Sequence, residues 1–441
     1  MTMNNSERTT DNNYGNYLIK KNSVNDLEAI ANRNLFDLQI DNPDLLIFPQ
    51  SLGKYHDDIE KSYIFSLNKE KLTTYNIMGF VGRNDTKLTI ASRFANDDKN
   101  DYFLHYMLQR IFAINILNFD QTPAIDNIWD FLLYLFPYFL KKAYSQGMYK
   151  SYRCEKYNDA NVKGNIDVKC HIRTNIPFAG RIAYTTREHS HDNPVTQLIR
   201  HTIEHIKVHP WGSGILTGDN DIRDIVSKIC FVTQKSYNKN ERQKLMSFNL
   251  LKPVSHTYFT EYKTLQKLCL RILHHDKLIF GNEKDKIYGL LFDGAWLWEE
   301  YLNKLLIREG FEHAENKRRE GSIQIFSDNN HFPRYPDFYK NDLVLDAKYQ
   351  KMEPTKIDRN DIHQIITYMY IRKAKIGGFI YPEKTSGKEN PHNVGMLKGY
   401  GNVVNLYHLT IPQNNNIQYA KFKEHMNHNE KQMTDILKSN K

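Results

Sequence analysis

The stretch Tyr335-Pro-Asp-Phe-Tyr-Lys-Asn-Asp-Leu-Val-Leu-Asp-Ala-Lys-Tyr349 decides the fold of the carboxy-terminal part of the chain. We interpret it as a β-hairpin with a two-residue turn at Lys340-Asn341, so that Asp337 faces Val344. Because side chains alternate along a strand, Asp346 shares a face with Val344, and Asp337 points to that face across the ladder. Asp337 and Asp346 are then diagonal neighbours, roughly 7–8 Å apart at the backbone, and their side chains converge.

Lys348 lies on the same predicted face as the two aspartates. Two carboxylates and a lysine on a buried face are costly unless something compensates their charge. Oxygen ligands from Asp337 and Asp346 suit Mg²⁺ or Mn²⁺, which retain water and bind phosphate oxygens. Lys348 is then placed to orient or activate a water and to stabilise charge on a phosphate. The alternative interpretation is an exposed hairpin with an Asp–Lys surface pair.

Two predicted helices flank the hairpin. Residues 295–308 form an amphipathic pattern in which Glu299 leans toward the apolar side, making it a candidate third metal ligand. A half-exposed glutamate at the edge of that stripe is the alternative. Residues 360–373 form the second helix, which places Gln364 and Tyr368 one turn apart on one face, where they can position a water or a phosphate.

The order of predicted elements indicates the fold class and the domains. Strands at residues 376–381 and 402–410 follow the second helix, which predicts an α/β carboxy-terminal domain with a mixed central sheet. The region before it has α+β character, β-rich and then helical, and includes a hairpin over residues 75–90. We therefore expect a disordered tail at 1–25, an amino-terminal region at 26–280, the α/β domain at 281–415 and a polar tail at 416–441.

The spacing of the acidic residues carries a resemblance. Pro336-Asp337 followed after eight residues by Asp346-Ala347-Lys348 resembles the signature of PD-(D/E)XK nucleases. Gln364-x-x-x-Tyr368 resembles the QxxxY helix motif of several branches of that superfamily.

The wider context is similar to the McrC family, the nuclease subunits of McrBC and LlaJI-like restriction systems. Further stretches carry this likeness: IWDFLLYL near Trp129, Val162-Lys-Gly-Asn-Ile-Asp167 before an asparagine-proline helix, and Gly377-Gly-Phe-Ile-Tyr-Pro382. One departure is Asn165, where the family often has arginine.

The resemblance implies a PD-(D/E)XK fold for residues 281–415 and a Mg²⁺-dependent, type II/IV-like restriction endodeoxyribonuclease. Its implied substrate is double-stranded DNA, and its implied partner is an McrB-like AAA+ GTPase hexamer whose ring receives the 26–280 region. The implied catalytic residues are Asp337, Asp346, Lys348, Gln364 and Tyr368, and the implied metal ligands are Asp337, Asp346 and Glu299. Because the chain has no GxxxxGK[ST] sequence, we expect it to bind no nucleotide itself.

Composition restricts the remaining possibilities. The 441 residues carry a net charge of +9, which permits contact with nucleic acid. The sequence contains no secretory signal, no run of eighteen apolar residues and no paired cysteines, so we expect a cytoplasmic protein without a membrane span. Two alternatives remain open: a non-catalytic adaptor that activates an AAA+ ring, and a stand-alone repair nuclease. We also consider residues 82–87 as a hairpin tip that enters the partner's pore.

Overall fold

The computed structural model describes residues 5–42, 45–49, 62–84, 86–95, 101–112, 128–209, 212–278, 287–314, 321–413 and 417–439. The chain forms two compact units. The first contains residues 1–124 together with 283–441, and the second contains residues 125–282. The predicted boundary at 280/281 therefore lies next to an observed division, but the first 124 residues belong to the same unit as the carboxy-terminal α/β region.

The elements follow one another along the chain in three groups. The amino-terminal group consists of β1 (Asn5–Thr10), β2 (Tyr17–Leu18), α1 (Val24–Glu28), α2 (Leu35–Asp41), β3 (Leu45–Phe48), β4 (Phe65–Asn68), β5 (Lys71–Thr74), β6 (Ile77–Arg83), β7 (Thr86–Ala91) and α3 (Tyr102–Phe112). The second unit consists of α4 (Ile128–Tyr144), β8 (Ser151–Asp159), β9 (Asn165–Ile166), α5 (Val168–Thr174), β10 (Ile182–Ser190), α6 (Pro194–Val208), α7 (Gly212–Thr217), α8 (Asn220–Val232), α9 (Arg242–Leu251) and α10 (Thr260–Leu278). The carboxy-terminal group consists of β11 (Ile287–Asp293), α11 (Gly294–Leu306), β12 (Glu312–His313), β13 (Ile323–Gln324), β14 (Pro333–Arg334), β15 (Phe338–Lys340), β16 (Leu343–Ala347), α12 (Arg359–Arg372), β17 (Ile376–Glu383), β18 (His392–Met396), β19 (Val403–Thr410) and α13 (Tyr419–Ser439).

A five-stranded sheet in the order β1-β7-β6-β11-β3 joins the two ends of the first unit. The predicted hairpin over residues 75–90 is confirmed as β6 and β7, which pair antiparallel. This hairpin lies in the middle of the sheet, because β11 flanks β6 and β1 flanks β7. Its tip is also fastened, since Asn84 Nδ2 and Thr86 Oγ1 donate to the Asp26 carboxylate at 2.7 and 2.8 Å. A central, fastened hairpin is poorly placed for the pore insertion that we considered for residues 82–87.

The amino-terminal segment differs from the predicted disordered tail. Residues Asn5–Thr10 form β1, which pairs in parallel with β7. Its buried Glu7 accepts hydrogen bonds from Tyr17 Oη at 2.6 Å, from the Lys20 amide at 3.0 Å and from Ser23 Oγ at 2.9 Å. The segment has few apolar residues, so a pattern search misses it. Backbone pairing and the satisfied carboxylate hold it in place instead.

A six-stranded mixed sheet in the order β12-β15-β16-β17-β19-β18 forms the carboxy-terminal α/β region. Strands β16, β17 and β19 are parallel, and β15 and β18 are antiparallel to their neighbours. The predicted mixed sheet is confirmed. Helix α12 packs on the face of this sheet that carries Val344, where Ile365, Tyr368 and Met369 join the core.

The polar tail predicted at 416–441 contains the helix α13, and one side of that helix is buried. Its buried positions recur every three to four residues, as expected for an amphipathic helix: Phe422, Met426, Glu430, Met433 and Leu437. Glu430 accepts hydrogen bonds from Tyr106 Oη at 2.8 Å and Tyr301 Oη at 2.6 Å. Because most residues of the segment are polar, its composition alone does not reveal this narrow apolar stripe.

The second unit combines a helical core with a long hairpin. Helices α4, α6, α9 and α10 pack on one another around buried side chains such as Phe136, Leu198 and Leu265. Strands β8 and β10 pair from Ser151↔Ser190 to Asp159↔Ile182. We call residues 151–190, which also include β9 and α5, the finger. The helix α5 lies between the strands β9 and β10 of the finger.

Candidate functional site

The hairpin β15–β16 has a different register from the one that we predicted. The turn lies at Asn341-Asp342, because Lys340 pairs with Leu343 and Tyr339 pairs with Val344. Asn341 adopts a left-handed conformation with φ of 50°, which asparagine tolerates better than most residues. The register moves by two residues, so each side chain stays on its predicted face. The observed pairing ends at Phe338 and Leu345. If this register is extended by one residue, Asp337 lies opposite Asp346 rather than diagonal to it.

Asp337 is a half-buried carboxylate with defined neighbours. Its Oδ2 accepts a hydrogen bond from the Ala347 amide at 2.7 Å, and its main-chain oxygen lies 2.6 Å from His313 Nδ1. Desolvation raises the pKa of Asp337 well above its ordinary value of 3.8, and the charges of Asp346 and Glu299 raise it further. The side chain therefore lies in a site that disfavours negative charge unless a cation is present.

Asp346 and Lys348 form a buried ion pair on the next strand. Asp346 is 2% exposed, and its Oδ2 lies 2.9 Å from Lys348 Nζ. Lys348 Nζ also lies 2.8 Å from Asp361 Oδ1 in the first turn of α12. Desolvation raises the pKa of Asp346 although Lys348 opposes this effect. Burial acts to lower the pKa of Lys348, but the two carboxylates outweigh it and hold the amine as a cation.

Gln364 and Tyr368 face the hairpin, as their helical spacing predicts. Gln364 Nε2 donates to Tyr368 Oη at 2.8 Å, and Tyr368 Oη donates to the Tyr335 main-chain oxygen at 3.1 Å. Burial, with a contribution from the charges of Asp337 and Asp346, raises the pKa of Tyr368 to about 12. The motif therefore ties α12 to the chain two residues before Asp337, and the hydroxyl stays protonated at neutral pH.

Glu299 approaches the site from α11. Its Oε1 lies 3.6 Å from Nε2 of His313, the residue whose other ring nitrogen contacts the main chain of Asp337. Its charge also raises the pKa of Asp337. The structure thus brings Glu299 to the edge of the acidic cluster. Within the described parts of the chain, no group of three or more His, Cys, Asp or Glu side chains is arranged to hold a metal ion.

The two aspartates nevertheless have the chemistry that a hard divalent cation requires. The Oδ2 atom of Asp346 is fully buried, and the Lys348 amine lies 2.9 Å from it. Mg²⁺ commonly binds through one or two carboxylates and completes its shell with water and substrate oxygens. The pair Asp337 and Asp346 fits such an ion.

Two residues of the cluster were missed by the sequence reasoning. Asp361 lies three residues before Gln364 and seven before Tyr368, so the helical period already places it on the same face. His313 gave no usable signal, because it is a single histidine in a two-residue strand. Its place beside the site depends on β12 pairing with β15.

The fold and the cluster define a mixed α/β protein with an acidic site beside a half-buried lysine. A family model described as "McrBC 5-methylcytosine restriction system component" matches residues 72–382. That match covers well over half of the chain, so the chain belongs to this family.

Two solved chains from Thermococcus gammatolerans are similar to this chain. One comes from the refined half-complex of a tetradecameric assembly of McrB AAA+ hexamers with bound McrC. It has a TM-score of 0.49 and 13% identity, with 96% of this chain and 100% of that chain covered. The other comes from the cryo-EM structure of the McrBC complex, with a TM-score of 0.35, 12% identity and coverage of 70% and 89%. No curated protein matches the chain.

No helix in the described segments is long and apolar enough to cross a bilayer.

Proposed function

We propose that the chain is the DNA-cleaving subunit of an McrBC-type restriction complex, with a PD-(D/E)XK site that hydrolyses phosphodiester bonds. One observation carries the proposal. The Asp337 carboxylate accepts a hydrogen bond from the Ala347 amide at 2.7 Å, next to Asp346 on the facing strand, and Lys348 Nζ lies 2.9 Å from Asp346 Oδ2. Membership of the restriction-system family supports the same function.

Each side chain has a role that follows from its contacts. Asp337 and Asp346, with Glu299 as a predicted third ligand, would hold Mg²⁺ or Mn²⁺, and the ion would neutralise and polarise the scissile phosphate. Lys348 is kept charged by Asp346 and Asp361, so it can stabilise negative charge on the phosphate and orient the attacking water. Gln364 and Tyr368 hold the main chain that leads into Asp337.

Cleavage of supercoiled plasmid DNA by the full-length chain and its partner tests the proposal. We expect cutting that requires Mg²⁺ and a nucleoside triphosphate, and a loss of roughly 10³-fold or more for Asp346→Ala. Asp342→Asn is the matched control, because Asp342 lies in the turn of the same hairpin and pairs on the surface with Lys375. Equal cutting by Asp346→Ala and the wild type would refute the site.

The same experiment separates the two alternatives. An adaptor would stimulate nucleotide hydrolysis by the partner without cutting DNA. A stand-alone nuclease would cut without partner or nucleotide.

We further propose that the second unit docks on an McrB-like AAA+ ring. In the Thermococcus gammatolerans assembly, McrC is bound to McrB AAA+ hexamers. The exposed apolar surface of the finger supports this proposal. Several apolar side chains near its end are more than half exposed, which is unusual for a surface that faces only water: Ile166, Val168, Ile172, Ile176 and Phe178.

The sequence motif at residues 162–167 shapes this end of the finger. Gly164 lies against β10, where a Cβ atom would come within 2.1 Å of the Thr185 main-chain oxygen. Asp167 caps α5 by accepting a hydrogen bond from the Cys170 amide at 3.0 Å. These two residues fold the end of the hairpin into a short helix that presents apolar side chains, and this makes the finger the docking element that we favour.

A further inference from the structure

Tyr349 follows directly after the lysine of the site, at the point where the β ladder ends. Strand β16 ends at Ala347, and the last ladder-like bond runs from the Lys348 amide to the Ile380 oxygen at 2.9 Å. Lys348 points to Asp346 and Asp361, whereas the buried Tyr349 ring lies among residues of the amino-terminal sheet. Strand pairing therefore fixes the backbone on the amino-terminal side of Lys348. On the carboxy-terminal side, the buried Tyr349 ring fixes it.

The contacts of Tyr349 come from segments far away in the sequence. Its hydroxyl lies 2.7 Å from Ser92 Oγ and 3.2 Å from Met78 Sδ. The guanidinium of Arg93 lies 5.0 Å from the ring centroid. Gly294 at the start of α11 leaves room for the ring, because a Cβ atom there would lie 2.7 Å from Tyr349 Cε1. The ring is therefore enclosed by β6, by the segment after β7 and by α11.

The segment that receives Tyr349 is itself held by the carboxylates of Asp11 and Asp101. The Ser92 amide donates to Asp101 at 2.5 Å, and the Phe94 amide donates to Ser92 Oγ at 3.0 Å. Arg93 Nε and Nη2 donate to Asp11 Oδ2 at 2.9 and 2.6 Å. Because Ser92 is fixed through its amide and its hydroxyl, it offers Tyr349 a rigid anchor rather than a mobile surface contact.

We propose that Tyr349 is a positioning residue of the site: through Ser92, the amino-terminal sheet holds the chain after Lys348 so that the amine stays between Asp346 and Asp361. This inference rests on the proposed nuclease function. If Tyr349 has this role, the segment around Ser92 takes part in positioning the cleavage site, although Ser92 lies 257 residues before Tyr349 in the sequence. A small displacement of a positioned group can slow a reaction without weakening substrate binding.

The test compares Tyr349→Phe with the wild type in the full-length chain assembled with its partner. With Mg²⁺ at saturation and a duplex DNA substrate, we expect kcat to fall roughly 10-fold while KM stays unchanged. Ser92→Ala should lower kcat at least as much, because it removes the same interaction and also the acceptor of the Phe94 amide. The double variant should be no slower than Ser92→Ala.

Tyr17→Phe is the matched control. It removes another hydroxyl of the first unit, which donates to Glu7 Oε2 at 2.6 Å, and we expect a normal kcat. A normal kcat for Tyr349→Phe, or an equal loss in Tyr17→Phe, would overturn the inference while leaving the proposed function intact. If Tyr349→Phe does not fold, a normal kcat for Ser92→Ala overturns it. If the wild-type complex does not cut DNA, the proposed function fails and the positioning role fails with it.

Discussion

The acidic hairpin β15–β16 and the finger differ in which side chains they bury and which they expose to solvent. The acidic hairpin buries charge, with Asp346 only 2% exposed, whereas the finger exposes apolar groups, with Ile176 68% exposed. Both arrangements are unfavourable for a chain alone in water. Under the proposed function, a cation would compensate the first arrangement and a protein surface would cover the second. This contrast fits the two tasks proposed above, cutting by the first unit and docking by the second.

The largest expected effect tests the acidic hairpin. Lys348→Ala should lower the cleavage rate by roughly 10²–10³-fold, because it removes a positioned charge that acts on the phosphate. Mg²⁺ titration of cleavage should show a nearly unchanged half-saturation point, since the two aspartates remain. Lys375→Ala is the control, because this exposed lysine pairs with Asp342 in the turn of the same hairpin. A normal rate at saturating Mg²⁺ would contradict the role of Lys348.

The finger should respond in the opposite way. Replacing Ile176 and Phe178 together with serine should weaken binding to the AAA+ partner by roughly 30-fold, as expected when apolar anchors of an interface are lost. Stimulation of the partner's nucleotide hydrolysis should fall accordingly and recover at high concentration of the chain. Phe231→Ser is the control, because Phe231 is 78% exposed on α8 of the same unit. Unchanged affinity of the double variant would exclude the finger as the docking element.

A smaller effect is expected from the motif helix. Gln364→Ala should lower the cleavage rate roughly 10-fold with little loss of stability, because Gln364 supports Tyr368, which holds the chain before Asp337. His363→Ala on the exposed side of the same helix should have no effect. A lower melting temperature with a normal rate would instead assign Gln364 a structural role.

Local patterns predicted much of the acidic site. Alternation along a strand placed Asp337, Asp346 and Lys348 on one face, and the helical period placed Gln364 and Tyr368 together. The turn was wrong by one residue: it lies at Asn341-Asp342, with Asn341 in a left-handed conformation at its first position. That error moved the register without moving any side chain to the other face.

Contacts between distant segments could not be predicted in this way. The hairpin over residues 75–90 was predicted correctly, yet its central place in the sheet depends on β1 and β11, which lie far away in the sequence. The same holds for His313, which reaches the site only because β12 pairs with β15. Residue spacing carries information about one element and its neighbours, but the order of strands in a sheet depends on the whole chain.

The smallest expected effect concerns the stability of the metal-free chain. Desolvation and the charges of Asp346 and Glu299 raise the folded-state pKa of Asp337 above 3.8, so the folded state retains a proton that the unfolded chain releases. The free energy of unfolding should therefore fall as pH rises from about 4 toward the folded-state pKa.

Asp337→Asn tests this expectation. The variant has no carboxylate to ionise in the buried site, but it keeps an oxygen that accepts the hydrogen bond from the Ala347 amide. In EDTA at pH 8, we expect its melting temperature to exceed that of the wild type by about 2–4 °C. The difference should vanish below about pH 3, where Asp337 is protonated in both states, and Asp342→Asn should show no such difference. A difference in melting temperature that is independent of pH, or a lower melting temperature for Asp337→Asn, would contradict this prediction. It would show that ionisation of Asp337 does not destabilise the metal-free chain.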